Sequence, residues 1–219
     1  MGSRSTKGTI WDEVGFFGHT VGMVLKRSTG AAIRWFDETF SVDTDYRSAY
    51  FRDKGIKYAK QGRYTHAAEV LEEVVQTNYE DFEAGFHLAF CYLKLDKLQS
   101  GINLLSHYYK AGHKDAKVIS ILGMALIQSE MYEDAVEVLK QGAAENLDNF
   151  NIHYRLGMAL DHLERYDEAL LAFQNAMKLR PEEPRVYRSI GFAMEQLGMR
   201  DQAVQLFKRA AQLEEGRRG

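Results

Sequence analysis

Apolar positions in this chain follow two superimposed periods. Within stretches of about a dozen residues they return every three or four positions, the spacing of an amphipathic helix. Over longer distances the whole pattern returns every 34 residues. Leu122-Gly123, Leu156-Gly157 and Ile190-Gly191 form one series, and Ala135, Ala169 and Ala203 a second. Leu139, Phe173 and Phe207 form a third, and Gly142, Ala176 and Ala210 a fourth. Earlier in the chain Gly55 and Ala89, Ala67 and Gly101, and Leu71 and Leu105 continue the same spacing. Five units follow, at 48–81, 82–115, 116–149, 150–183 and 184–217, each predicted to be a pair of helices joined by a tight turn.

A helix–turn–helix unit of this period is the tetratricopeptide (TPR) repeat. The predicted fold is all-α: a right-handed superhelix, or α-solenoid, of five full repeats preceded by a degenerate N-terminal helical hairpin. Gly or Ala at the eighth position lets the first helix of a repeat, helix A, lie close to its own helix B. Ala at the twentieth lets helix B approach in return, and the large residues between them fill the groove. On this reading Ala169→Leu overpacks the contact, at about 1–3 kcal/mol.

Boundary residues agree. Asp81, Asp115 and Asn149 are one period apart and are predicted helix N-caps. Gly62-Arg63-Tyr64 and Arg165-Tyr166 mark turns between paired helices. Pro181 follows one helix B, and Pro184 suits the first turn of the next helix A. Gly101 weakens the second repeat by about 0.5–1 kcal/mol, so a pliable point is expected near 96–112. It divides repeats one and two (48–115) from repeats three to five (116–219).

Residues 1–47 differ. Positions 1–9 are rich in Gly, Ser, Thr and Lys. Ile10, Val14, Phe17, Val21 and Val24 then fall at helical spacing, and Ala32, Ile33, Phe36 and Phe40 mark a second segment beyond Gly30. Trp11, Phe16, Phe17, Trp35, Phe36 and Phe40 exceed what one hairpin buries internally. Acidic and basic residues balance here, so the basic excess of a lipid-surface helix is missing. The aromatic surplus requires another apolar surface, either the first repeat or a second molecule. Direct lipid contact by 10–25 is a third reading, and it predicts flotation with pure vesicles.

In stacked TPR units the concave face is lined mostly by helix A. Its inward positions give Arg52 and Ile56 in the first repeat, and Phe86, Phe90 and Leu93 in the second. They give Lys117, Met124 and Ile127 in the third, and Asn151, Tyr154 and Met158 in the fourth. The fifth contributes Arg185, Arg188 and Phe192. The middle is apolar, aromatic and Met-bearing, and Arg residues stand at both ends. That chemistry suits an amphipathic helix or an apolar peptide with acidic groups. The TPR clamp for a C-terminal carboxylate uses Lys and Asn, whereas Arg52 and Ile56 stand in the first repeat and Lys117 alone matches. On the last helix, Leu206 and Leu213 are candidates for a second contact surface.

Composition removes other classes. With 28 Lys+Arg against 31 Asp+Glu the net charge is −3, so no general attraction to nucleic acid is expected. A single Cys excludes an internal disulfide and a multi-Cys zinc site. The seven His residues show no metal-ligand spacing, and no nucleophile elbow or phosphate-cradling Gly loop occurs. Neither a cofactor, a metal nor catalysis is expected. Cys91 reads as a small apolar filler. No apolar run is long enough to cross a membrane, and Asp12 and Glu13 interrupt the region where a secretion signal would be apolar. A cytoplasmic location is expected.

Several runs carry a closer likeness. Phe40-Ser41-Val42, Tyr50-Phe51-Arg52-Asp53-Lys54-Gly55-Ile56, Ala59-Lys60 and Gly62-Arg63-Tyr64 resemble the magnetosome-associated TPR family MamA of magnetotactic bacteria. So do Arg155-Leu156-Gly157-Met158-Ala159-Leu160-Asp161 and Glu195-Gln196-Leu197-Gly198. The resemblance implies a cytoplasmic protein peripheral to the magnetosome membrane, a vesicle enclosing a magnetic iron mineral. It implies a non-enzymatic scaffold that homo-oligomerises, binds other magnetosome proteins and supports mineral growth. Membrane association is then indirect, through protein receptors. It also implies that the N-terminal hairpin, with Trp11, Phe16, Phe17, Val21, Trp35, Phe36 and Phe40, docks into a neighbour's groove. Such a head-to-tail contact propagates. The other reading is a soluble TPR adaptor or chaperone that holds one client, its residues 1–47 folded onto its own repeats.

Overall fold

In the computed structural model the described residues are Gly15 and 44–217, and among them there are ten α-helices and no strand. They are α1 (Thr44–Lys60), α2 (Tyr64–Thr77), α3 (Phe82–Lys94), α4 (Leu98–Lys110), α5 (Ala116–Gln128), α6 (Tyr132–Glu145), α7 (Phe150–His162), α8 (Tyr166–Leu179), α9 (Pro184–Gln196) and α10 (Arg200–Gly216). The fold is the all-α TPR solenoid. The chain divides into two compact units at Lys97–Leu98. The predicted self-assembly residues Trp11, Phe16, Phe17, Val21, Trp35, Phe36 and Phe40 lie outside the described residues.

In the first unit α1 and α2 form a hairpin, and α3 packs on both. In the second, α5–α6, α7–α8 and α9–α10 are hairpins, with α4 against α5. The A helices touch in sequence, α5 to α7 and α7 to α9, and so form one layer.

The notch at the eighth position is physical. A Cβ on Gly157 would stand 2.5 Å from the Phe173 ring, and one on Gly123 2.5 Å from Leu139 Cδ2. On Gly191 it would stand 2.6 Å from Phe207, and on Gly55 2.6 Å from Leu71. In each of these four repeats the large residue sixteen positions on fills the space that a side chain would need. Ala67, Ala135, Ala169 and Ala203, at the twentieth position, are all buried.

The N-caps form as the sequence predicts. Asp81 accepts from the Ala84 N–H at 3.0 Å. Asp115 accepts from the N–H groups of Lys117 at 2.8 Å and Val118 at 3.1 Å. Asn149 accepts from Asn151 at 3.1 Å and Ile152 at 3.2 Å. Pro184 occupies the first turn of α9.

The turns between paired helices reverse through one left-handed residue per repeat. It is Gly62 (φ 76°) in the first and Gly198 (φ 78°) in the fifth. The three between carry Asp96 (φ 60°), Glu130 (φ 58°) and Glu164 (φ 57°). A Cβ in that region crowds the carbonyl oxygen, and Glu lacks the short side chain that eases Asp there. Glu164→Gly is therefore expected to stabilise the protein by about 1 kcal/mol, read as a higher urea midpoint. A lower midpoint would mean that the Glu164 side chain supports the turn.

Candidate functional site

In the first unit Ile56 and Phe86 are buried, at 5% and 9% exposure, so neither presents a free side chain at the face where the periodicity puts it. Phe86 packs against the Phe82 ring at 5.9 Å. Phe90 and Leu93 are half-buried, Phe90 meeting the Tyr64 ring edge-on at 6.0 Å with Lys94 Nζ 5.4 Å from its centroid. Arg52 lies 3.4 Å from Asp53 and 3.7 Å from the N-cap Asp81. It is thus partly neutralised from its own unit.

The second unit brings more of the predicted set together. Met124 and Ile127 on α5, and Tyr154 and Met158 on α7, are half-buried, while Lys117 and Asn151 are exposed. On α9 Phe192 is 54% exposed. The Phe207 ring supports it edge-on at 5.0 Å. The Tyr154 and Ser189 hydroxyls share a hydrogen bond at 3.3 Å, which ties α7 to α9. Arg185 lies over Tyr154, 4.9 Å from its centroid, and 5.2 Å from that of Phe150. Arg185 Nε is 3.3 Å from Glu183 but lacks an aligned hydrogen bond. Arg188 pairs with Glu214 on α10.

Each Arg chosen from the inward pattern therefore has a carboxylate beside it. Arg155, which that pattern leaves out, has none among the described residues. Arg155 is half-buried on α7, one residue past Tyr154. It donates to the Ser120 hydroxyl on α5 and, at 3.6 Å, to Met124 Sδ. Both partners are neutral, and among the described residues no carboxylate lies within ion-pair distance of it. Burial holds its guanidinium below the usual arginine value, and the Arg185 charge adds in the same sense. Counting inward positions could not find it, because it occupies the sixth position of helix A and reaches sideways over the preceding helix A. Its signal was chemical: an Arg on one helix A with a Ser and a Met on the preceding helix A, 35 and 31 positions earlier.

Asp161, at the inner twelfth position of α7, is half-buried, and burial raises its pKa against the opposing effect of His162. On α10 the exposed large apolar residue is Val204, at 47%, while Leu206 and Leu213 are half-buried. No group of His, Cys, Asp and Glu able to hold a metal occurs among the described residues. Nor does any helix among them have the length and apolarity to cross a membrane.

Comparison with known proteins agrees with this architecture. Residues 58–125 and 122–184 each match a profile of the tetratricopeptide repeat. Magnetosome protein MamA of Magnetospirillum gryphiswaldense is 38% identical over 84 residues, 38% of this chain and 39% of that protein. Magnetosome protein MamA of Paramagnetospirillum magneticum is 39% identical over 79 residues, 36% of each. These alignments span less than half the length of the curated relatives. Solved structures reach further. MamA of strain MSR-1 superimposes with a TM-score of 0.71 at 40% identity, over 77% of this chain and 97% of that one. MamA of strain AMB-1 does so with 0.71 at 41% identity, over 78% and 94%. With its 34-residue helix pairs, its glycine notches and this likeness along most of the repeat region, the chain belongs to the tetratricopeptide-repeat family as a MamA-like protein.

Proposed function

We propose that this protein is a non-enzymatic scaffold that self-assembles on the cytoplasmic face of the magnetosome membrane and recruits other magnetosome proteins. In that role it supports activation of the compartment for mineral growth. The likeness to MamA structures along the repeat region supports the setting. The observation that carries the binding role is the inner face of the second unit. There an exposed Phe192, a half-buried Tyr154 and Met158, and the cations Arg155 and Arg185 stand on consecutive A helices. An aromatic anchor flanked by positive charge is the chemistry of a peptide groove. In this reading the groove receives the N-terminal segment of a neighbouring molecule, and Lys117, Met124, Ile127, Asn151 and Arg188 border it. Membrane association goes through protein receptors.

Gel filtration tests this. The full chain is expected to elute as large assemblies, and the chain lacking residues 1–41 as monomers or dimers. An unchanged elution after removal overturns self-assembly through that segment.

A second reading has its own observation. Gly15, the one described residue before Thr44, lies against α1: a Cβ on it would stand 3.5 Å from Tyr50 Oη and 4.0 Å from Lys54 Nζ. Gly15 beside its own first repeat fits a soluble adaptor that keeps its groove for a client. That reading predicts a monomer at full length.

A further inference from the structure

We propose that the outer face of α10 is a contact between two copies of the chain, which pair tail to tail across a two-fold axis with their α10 helices antiparallel. This contact is separate from the groove and does not depend on it. In the second unit each helix B hands one face to the helix A that follows: α6 packs on α7, and α8 on α9. That cover helps to bury the helix B residues at the twenty-first and twenty-fourth positions. Val136 and Leu139 on α6, and Leu170 and Phe173 on α8, are all buried. The same positions of α10 are Val204 and Phe207, and among the described residues no helix follows α10. Val204 is exposed. Phe207 sits against Gly191 as Phe173 does against Gly157, yet it is only half-buried. Phe192, whose ring meets that of Phe207 at 5.0 Å, is exposed beside it. Water therefore meets an apolar surface that the preceding repeats keep covered.

The charges along this face choose the occupant. At the helical pitch, Arg200, Val204, Phe207, Ala211 and Glu215 fall within an arc of about 80°. The stripe runs from a cation at its N-terminal end, through an apolar middle, to an anion at its C-terminal end. An antiparallel copy of the same stripe is its complement. Arg200 then meets the partner's Glu215, Glu215 meets the partner's Arg200, and Val204 meets the small side chain of the partner's Ala211. A parallel copy would set like charges against each other at both ends. Arg200 and Glu215 are exposed, and neither has an ion pair among the described residues, whereas Glu214 is engaged by Arg188. Lys208 stands at the margin of the arc, close to the two-fold axis, where its long stem lets the ammonium reach water. The contact is isologous, so it closes at two copies and does not propagate. A helix of 17 residues spans about 25 Å. Such a face is small beside a stable interface, so the pair is weak alone and gains wherever another contact concentrates the copies.

Full-length Lys208→Cys, treated with a short bismaleimide, tests the pairing. Wild type gives the background, because its one thiol, Cys91, has no exposed surface. A thiol beside the two-fold axis is expected to give covalent dimer at least about tenfold faster than Gln205→Cys, which is exposed on the opposite side of α10. In the Lys208→Cys chain, Arg200→Glu alone or Glu215→Arg alone is expected to slow dimer formation about tenfold. The two-fold axis repeats each changed pair and so doubles its effect. The double swap, Arg200→Glu with Glu215→Arg, restores both pairs and is expected to restore the rate. Each swap places at its helix end the sign that the helix dipole favours, so α10 itself is kept. Equal rates for Lys208→Cys and Gln205→Cys overturn the pairing and leave the face to a helix of another protein. Single swaps that leave the rate unchanged overturn it too, as does a double swap that stays slow. Elution after removal of residues 1–41 reads the groove contact separately, so either contact can fail without the other.

Discussion

Phe173→Ala is expected to lower the unfolding free energy by about 3–5 kcal/mol, the range for removing a buried aromatic ring. Phe173 on α8 is 1% exposed, and its ring sits in the notch that Gly157 leaves on α7. Tyr154 lies 5.7 Å from it, centroid to centroid. Truncation would remove the ring and leave a void whose near wall is bare backbone, because Gly157 has no side chain to move in. Neighbouring helices are held by their own notches, so collapse into the void is limited and the cost falls high in the range. The reciprocal change, Gly157→Ala, puts a Cβ 2.5 Å from the same ring and is expected to cost about 1–3 kcal/mol. The pair should be non-additive. In Phe173→Ala/Gly157→Ala the new methyl enters the space the ring vacated, so the double variant is expected to cost less than the two singles together. Urea unfolding followed by helical circular dichroism measures all four proteins. A ring truncation worth under about 1 kcal/mol, or strict additivity, would show that the notch does not hold the hairpin.

That contact was legible in the sequence because it is short-range and repeated. A glycine or alanine at position eight and a large residue sixteen positions later obey one steric rule in every repeat, so spacing alone reveals them. The caps at Asp81, Asp115 and Asn149 were legible for the same reason. Other features depend on what the neighbouring helix contributes. Arg188 reads as an inward cation until Glu214 on α10 is seen to take it up. Arg155 was passed over because position six is not inward by count, and only the approach of α5 to α7 puts Ser120 and Met124 under its fork. Ile56 and Phe86 fall at inward positions yet are buried. Period counting specifies an angle around a helix axis and is blind to what covers that face. The sequence marked the turn between paired helices at Gly62; Gly198 shares its left-handed conformation, as do Glu130 and Glu164, where an unsuitable side chain hides it.

Cys91 offers the second large effect, and it reports on the first unit alone. It lies on α3 with no exposed surface, and burial pushes its thiol from 9.0 up to about 11. At pH 8 a thiol of pKa 9 is about 10% thiolate, and one at 11 about 0.1%. Ionisation alone therefore slows attack on a disulfide reagent such as DTNB about a hundredfold, before access is counted. Native protein is expected to react at least that much more slowly than protein in denaturing urea. The residual rate then measures how often the first unit opens. Stability responds to the same group. Because the folded pKa lies above the unfolded one, between pH 9 and 11 the unfolded chain releases its thiol proton while the native protein retains it. Stability falls as pH rises through that window and is unaffected by this group below it. Tyr92 adds to the fall above pH 10, since burial, and then its hydrogen bond to Glu72 at 3.0 Å, push its phenol to about 12. Cys91→Ala should therefore flatten the pH dependence between 9 and 10 and leave the steeper part above it. Labelling of native protein at pH 8 as fast as of unfolded protein would place the thiol at the surface and remove α3 from the packed interior of that unit.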